Sequence, residues 1–187
     1  MPERCWSEMH DTKIKSATEI ERHTLTVLVD NEAGVLARVV GLFSGRGYNI
    51  ESLTVAEVDP MARTSRITIV TSGTLQVIEQ IEAQLRRLVP THKVTNWTDT
   101  KNGALAGIER EMALIKVAGT GEKRVEALRM ADAFRARPVD TTQSSFVFEI
   151  TGSPAKIDSF VDLMRPLGLV DVSRTGVAAI SRGPDVM

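Results

Sequence analysis

VLVDNEAGVLARVVGLFSGRGYNI, Val27 to Ile50, is the stretch on which the reading of the fold turns. Leu25, Val27 and Val29 alternate with Thr24, Thr26 and Leu28. That is the period of a strand with one face more apolar than the other. The alternation stops at Asp30, and Asn31 stands where a helix N-cap is expected, its side chain able to accept from free backbone N–H groups. Gly34 lets the backbone approach whatever lies at that end. Leu36, Val39, Val40 and Phe43 then recur at i, i+3, i+4 and i+7, which predicts one helical face. Gly45, Arg46 and Gly47 end the helix, with a glycine available for a left-handed C-terminal position.

What this stretch offers is a pocket and not a reaction. Free N–H groups and the positive end of a helix dipole favour a small anion such as a carboxylate. The amides of Asn31 and Asn49 add hydrogen bonds without net charge, a combination that suits a zwitterionic amino acid. An ordinary strand–helix connection with a polar cap has the same spacing.

Working outward, Ile50 to Val58 reads as a strand and Asp59-Pro60-Met61 as a turn. Ser65 to Thr71 is a second alternating segment. Thr74 is placed to cap a helix whose stripe is Leu75, Ile78, Ile81, Leu85 and Leu88, stopped by Pro90. Lys93 to Trp97 completes the order strand, helix, strand, strand, helix, strand. This is a split βαβ, or ferredoxin-like, unit: an antiparallel sheet with both helices on one face. TDTKNGALAGI, from residue 98 to about 108, reads as a linker.

The order then repeats. Ala113, Ile115 and Val117 form a strand, and Glu122 to Phe134 a helix with Val125, Leu128 and Ala131 on one face. Pro138 to Thr142 is extended, and Phe146, Phe148 and Ile150 alternate. Ser153-Pro154 opens a helix carrying Ile157, Phe160, Val161 and Met164, and Gly168 closes it before Val170 and Val172. The expected class is α+β, two βαββαβ units in tandem. The expected divisions are a flexible tail over 1–21, a first unit over 22–98, a linker over 99–108 and a second unit over 109–187. The terminal SRGPDVM is expected to trail off the sheet. Each sheet keeps one face without helices, and Thr24, Thr26, Leu28, Ser52 and Thr54 make it half-apolar. With edge strands this invites pairing with a second copy.

Composition narrows the function. In 187 residues the formal net charge is -1, so no basic bias points to nucleic acid or to an anionic membrane. Aromatic residues make up 4%, too few for platforms that stack bases. The lone Cys5 cannot form an internal disulfide, and no apolar run approaches the ~20 residues of a membrane span. A cytoplasmic protein is expected. His10, His23 and His92 are scattered, so no metal site is expected. Gly119-Thr120-Gly121-Glu122-Lys123-Arg124 lacks phosphate-loop spacing, and Asp158 and Asp162 read as solvated helix surface.

VDNEAGVLARVVGLFSGRGYNIESLTVAEVD, followed by SRITIVTSG and IEQIEAQLRRLV, resembles the N-terminal ACT domain of the small regulatory subunits of acetolactate synthase (acetohydroxyacid synthase). SGRGYNIESLTV, Ser44 to Val55, is the most specific string, and RTGVAAISRG near the C-terminus is similar to the family's closing signature. The resemblance covers about residues 22 to 183. ACT domains often carry proline before the loop glycine, and here Ala33 stands there. The resemblance implies a non-catalytic subunit that raises the activity of a large catalytic subunit and confers feedback inhibition by valine or another branched-chain amino acid. Thiamine diphosphate, Mg²⁺ and FAD are expected on that partner and none on this chain. It also implies a homodimer through the ACT domains, with the effector at their interface. Asn31, Gly34, Val35 and Leu36 would come from one chain, and Asn49 and Ile50 from the other.

Two other functions use the same element order. A small enzyme of acylphosphatase type needs an arginine in the first strand–helix loop, and DNEAG has two carboxylates and none. An RNA-recognition module needs aromatics on its central strands, and Ser65 to Thr71 has none.

Overall fold

A computed structural model describes residues 19–98 and 107–184 of the chain. The first unit comprises β1 (Glu21–Asp30), α1 (Val35–Ser44), β2 (Ser52–Asp59), β3 (Thr64–Gly73), α2 (Leu75–Leu85) and β4 (Thr91–Asn96). Its four strands are antiparallel in the order β2-β3-β1-β4. The second comprises β5 (Gly107–Ala118), α3 (Gly121–Phe134), β6 (Arg137–Thr141), β7 (Ser145–Gly152), α4 (Pro154–Gly168) and β8 (Leu169–Arg174), in the equivalent order β6-β7-β5-β8. The tandem βαββαβ architecture is therefore observed. Cys5, Trp6, His10 and most of the expected tail and linker lie outside the described residues, as do the last three residues of SRGPDVM.

The first core forms because Leu25, Val27 and Val29 of β1 and Ile67 and Ile69 of β3 point to one face, where α1 and α2 cover them. α2 buries Ile78, Ile81 and Leu85, and Thr74 caps it by accepting from the Val77 N–H at 3.4 Å. Leu75 at its start is exposed. In the second core Ile157, Phe160, Val161 and Met164 of α4 are buried as their spacing predicts, and Ser153 caps the helix from Lys156 N–H.

Two helical faces differ from expectation. α1 buries Val35, Val39, Leu42 and Phe43, leaving Leu36 exposed and Val40 only half-buried. The i, i+4 pair Val35 and Val39 faces the sheet because the helix begins at Val35, later than the polar loop alone suggests. α3 buries Ala127 and Ala131, while Val125 and Leu128 face out. The rings of Phe134, Phe146, Phe148 and Phe160 pack together in that core, with successive centroids 5.3–6.2 Å apart. The small alanines let α3 lie close to this aromatic layer, where larger side chains would overpack it.

β8 is not the last strand: Ala178–Ser181 is a further strand, β9, paired antiparallel with Gly107–Arg110, and of SRGPDVM only Ser181 belongs to it. β5 thus begins at Gly107, within the stretch expected to be linker, and its first four residues form a two-stranded ribbon with β9. The helix-free face of the first sheet is also partly covered by its own chain. Trp97 is buried there, its indole N–H donating to the buried Thr26 Oγ1 at 2.6 Å. A Cβ on Gly107 would sit 2.7 Å from the Trp97 ring, so only glycine lets the ribbon lie against the indole.

The turn between β8 and β9 joins the two units. Val177 N–H donates to Ser52 Oγ at 3.3 Å and Thr54 Oγ1 to the Thr175 carbonyl at 3.5 Å. Gly176 has φ +82, and a Cβ there would meet Ser52 Oγ at 2.6 Å and Thr54 Oγ1 at 2.7 Å. Gly176→Val is expected to lift this turn off β2 by strain and by collision, at about 1–3 kcal/mol. Amide hydrogen exchange should then rise in β9 and at Gly107–Arg110 while α2 is unchanged. Equal protection in both proteins would show that the turn holds nothing.

Beneath this turn Arg174 binds the buried Glu111 through two hydrogen bonds of 2.7 Å, and Asp158 at 2.6 Å. Hydrogen bonding to Glu111, supported by Asp158, holds the guanidinium above its ordinary range. Asp158, expected to be free helix surface, is therefore an ion-pair partner, and Asp162 pairs with Arg165 at 3.0 Å.

Candidate functional site

The loop from Asp30 to Gly34 turns between β1 and α1 at one end of the first sheet. Asn31 does not cap the helix. The N-cap position is Gly34, in a left-handed conformation at φ +86, and no side chain caps α1. Asn31 is pulled away instead: its N–H donates to the Arg63 carbonyl at 2.7 Å, and its side-chain amide donates to Glu57 Oε1 at 3.0 Å. Arg63 itself has φ +49, a turn conformation that aims its carbonyl inward to the loop. Asp30 accepts from His92 Nε2 at 2.6 Å, which anchors the loop on its other side.

The consequence is a helix start whose donors are unspent. Glu32 N–H bonds Asp30 O at 3.0 Å, and Val35 N–H reaches Glu32 O only at 3.4 Å. Arg38 N–H closes the first helical bond onto Gly34 O at 3.0 Å. The N–H groups of Gly34, Leu36 and Ala37 have no acceptor among the described residues. These are the donors a helix leaves free at its first turn, with the positive end of its dipole behind them. α1 has no acidic residue in that turn to neutralise them. Leu36, 42% exposed, stands beside them as an apolar wall. Gly34 is open, since a Cβ there meets nothing within 4 Å; its glycine is required by φ alone.

Asn49 and Ile50 lie at the other end of the same helix. The Asn49 carbonyl accepts from Thr71 Oγ1 at 2.6 Å, while its residue is exposed. Ile50 packs partly against the first core. Glu51 N–H donates to Val70 O at 2.8 Å, and its carboxylate accepts from Arg22 Nε at 3.1 Å and from Ser72 Oγ. α1 has ten residues, about 15 Å of helix, and it separates Gly34 from this segment. Within one chain, then, Asn31, Gly34, Val35 and Leu36 form one cluster and Asn49 and Ile50 another. Val35 is buried and contributes at most its backbone.

The residues that sequence reasoning missed are the ones that hold the loop: Glu57, Arg63 and His92. Their separations from the loop in sequence leave no local period to reveal them. Among the described residues no three His, Cys, Asp or Glu side chains gather as a metal site, and no helix is long and apolar enough to cross a membrane.

Comparison with known proteins shows what the chain is similar to. A family model described as an AHAS small subunit-like ACT domain matches residues 25–93, and one described as the small subunit of acetolactate synthase matches residues 110–183. The chain is 46% identical over 162 residues to a probable acetolactate synthase small subunit of Archaeoglobus fulgidus, covering 87% of this chain and 98% of that one. It is 43% identical to the acetolactate synthase isozyme 3 small subunit of Escherichia coli, over 89% of this chain and 99% of that one. Among solved structures, the acetolactate synthase small subunit of Thermotoga maritima superposes with a TM-score of 0.76 at 35% identity, covering 88% of this chain and 99% of that one. These matches give no support to an acylphosphatase.

Proposed function

The chain belongs to the acetolactate synthase small-subunit family, and on that premise we propose that its unspent helix donors bind a feedback amino acid. It is a regulatory subunit of acetolactate synthase, in the pathway to the branched-chain amino acids, and its partner is the large catalytic subunit. In our reading it performs no chemistry itself and works in the cytoplasm. The thiamine diphosphate, Mg²⁺ and FAD of the reaction belong to the partner, and this chain's residues bind the effector and alter the partner's activity.

The observation that carries the site is the set of free N–H groups at Gly34, Leu36 and Ala37, beside an exposed leucine and an amide. An effector carboxylate accepts from those donors, as anions do at helix starts. Its branched side chain rests on Leu36, and its ammonium group is held by uncharged oxygens. Asn49 of the same chain is a helix length away from Gly34, so it reaches this site only from a second copy. Pairing of the exposed β2 edges of two chains about a twofold axis reverses one strand against the other. That brings the Asn49–Ile50 end of one chain to the Asn31–Gly34 end of its mate. A homodimer with two equivalent effector sites follows from this arrangement.

Asn31→Ala separates the effector role from a structural one. Because the amide caps nothing and its bond to Glu57 is exposed, the substitution is expected to change stability by less than about 1 kcal/mol. The valine concentration that half-inhibits the reconstituted holoenzyme should nevertheless rise about tenfold, the value of one lost hydrogen bond to a charged group. Unchanged valine sensitivity in a normally folded variant would put the effector elsewhere.

A further inference from the structure

The geometry points to a second ligand site, for a short apolar monocarboxylate, in the groove between the first sheet and the β5–β9 ribbon. The groove has a volume of about 350 Å³. One wall is the helix-free face of the sheet. Arg66 and Thr68 of β3 stand opposite Ala56 and Thr54 of β2, with Val58 beyond them. The other wall is the ribbon, where Ile108 pairs with Ile180 and Arg110 with Ala178, so that alternation puts all four on one face. Ile180 and Val58 are 54% and 46% exposed, a good deal of apolar surface left in water.

The two arginines give the groove its chemistry. Several guanidinium groups elsewhere in the chain are matched to acids, among them Arg22 to Glu51, Arg86 to Glu82, Arg137 to Glu149 and Arg174 to Glu111. Arg66 and Arg110 form no ion pair among the described residues. Arg66 Nε is buried without a hydrogen-bond partner. Arg110 Nη1 reaches only the carbonyl of its own neighbour, Glu109, at 2.8 Å. A buried, unpaired donor of this kind is costly unless something accepts from it. No acidic side chain lines the groove. Its occupant therefore carries a carboxylate for the guanidinium groups and a short hydrocarbon part for Ile108, Val58 and Ile180.

The same lining favours a monocarboxylate over an amino acid, because it holds two guanidinium groups and no carboxylate to pair with an ammonium group. The groove thus differs in chemistry from the helix start at Gly34, and it stands whether or not the effector reading holds. Because one wall belongs to each unit, an occupant bridges the first sheet and the ribbon.

The test titrates 3-methylbutanoate onto the full-length protein, with 3-methylbutylamine, the cation of the same hydrocarbon part, as the control, and follows the Ile108 and Ile180 δ-methyl resonances. Saturable shifts of both methyl groups with the acid and none with the amine are expected. Binding should weaken at least tenfold in Arg66→Leu and, independently, in Arg110→Leu, and should persist in Gly34→Asp. Arg110 lies on the ribbon surface, so its variant keeps the test decisive if Arg66→Leu folds poorly. The proposal is overturned by no saturation at millimolar acid, by equal binding of the amine, by undiminished binding in both arginine variants, or by acid-induced shifts confined to residues around Gly34. Seating of a peptide of the catalytic subunit on these methyl groups in the holoenzyme, with no response to the acid, would also overturn it.

Discussion

Gly34→Asp is expected to raise the valine concentration for half-inhibition of the holoenzyme by roughly tenfold to a hundredfold, the equivalent of one or two lost charge-assisted hydrogen bonds. The substitution acts at the site and leaves the fold in place. Gly34 has φ +86, and a Cβ there meets nothing within 4 Å, so the only structural penalty is conformational. Aspartate is among the residues that tolerate the left-handed region, and that penalty is about 1 kcal/mol. The new carboxylate, however, lies at the N-cap of α1, where its oxygens can accept from the free N–H groups of Leu36 and Ala37. It does for the helix what the effector's carboxylate is proposed to do, and it adds a like charge where that carboxylate must arrive. The decisive measurement pairs a valine titration of reconstituted activity with a melting curve. A variant that melts normally, still activates the catalytic subunit and ignores valine supports the site. One that melts normally and remains fully sensitive removes it.

The second large effect concerns Gly168, at the end of α4. Gly168→Ala is expected to lower the stability of the second unit by about 3 kcal/mol or more. Two terms add. The residue sits at φ +107, outside the range where alanine is comfortable. A Cβ there would also fall well inside contact distance of the Ala118 carbonyl oxygen, which is backbone and cannot swing aside. Relief requires α4 to move relative to β5, and with it Phe160 and Met164, which fill the second core. The first unit has its own core, closed by α1 and α2, and loses nothing directly. Calorimetric unfolding should therefore resolve into an early transition of residues 107–184 and a later one of the first unit. Retention of a single, unshifted transition would contradict the close approach of Gly168 to Ala118.

The local periods in the chain were enough to determine its element order and most of its core. Alternation marks β1, β3 and β7, the α4 stripe is buried as written and the α2 stripe is buried at Ile78, Ile81 and Leu85, because both patterns record which side of an element meets apolar neighbours. The string from Ser44 to Val55 and the closing RTGVAAISRG carried the family. The decisions left to tertiary structure all involve partners far away in sequence. Asn31 has the composition of a cap, but Glu57, 26 residues on, and the Arg63 carbonyl take its amide and its N–H, and the helix starts at Gly34. Val125 and Leu128 have helical spacing, but the aromatic layer behind α3 leaves room only for Ala127 and Ala131. β9 is too short and too small in its side chains to announce itself. It exists because Gly107 can lie on Trp97, and Gly176 on Ser52 and Thr54, which brings the chain's end back onto its first sheet. A local pattern tells each residue which way to face, and only the assembled fold determines what it meets there.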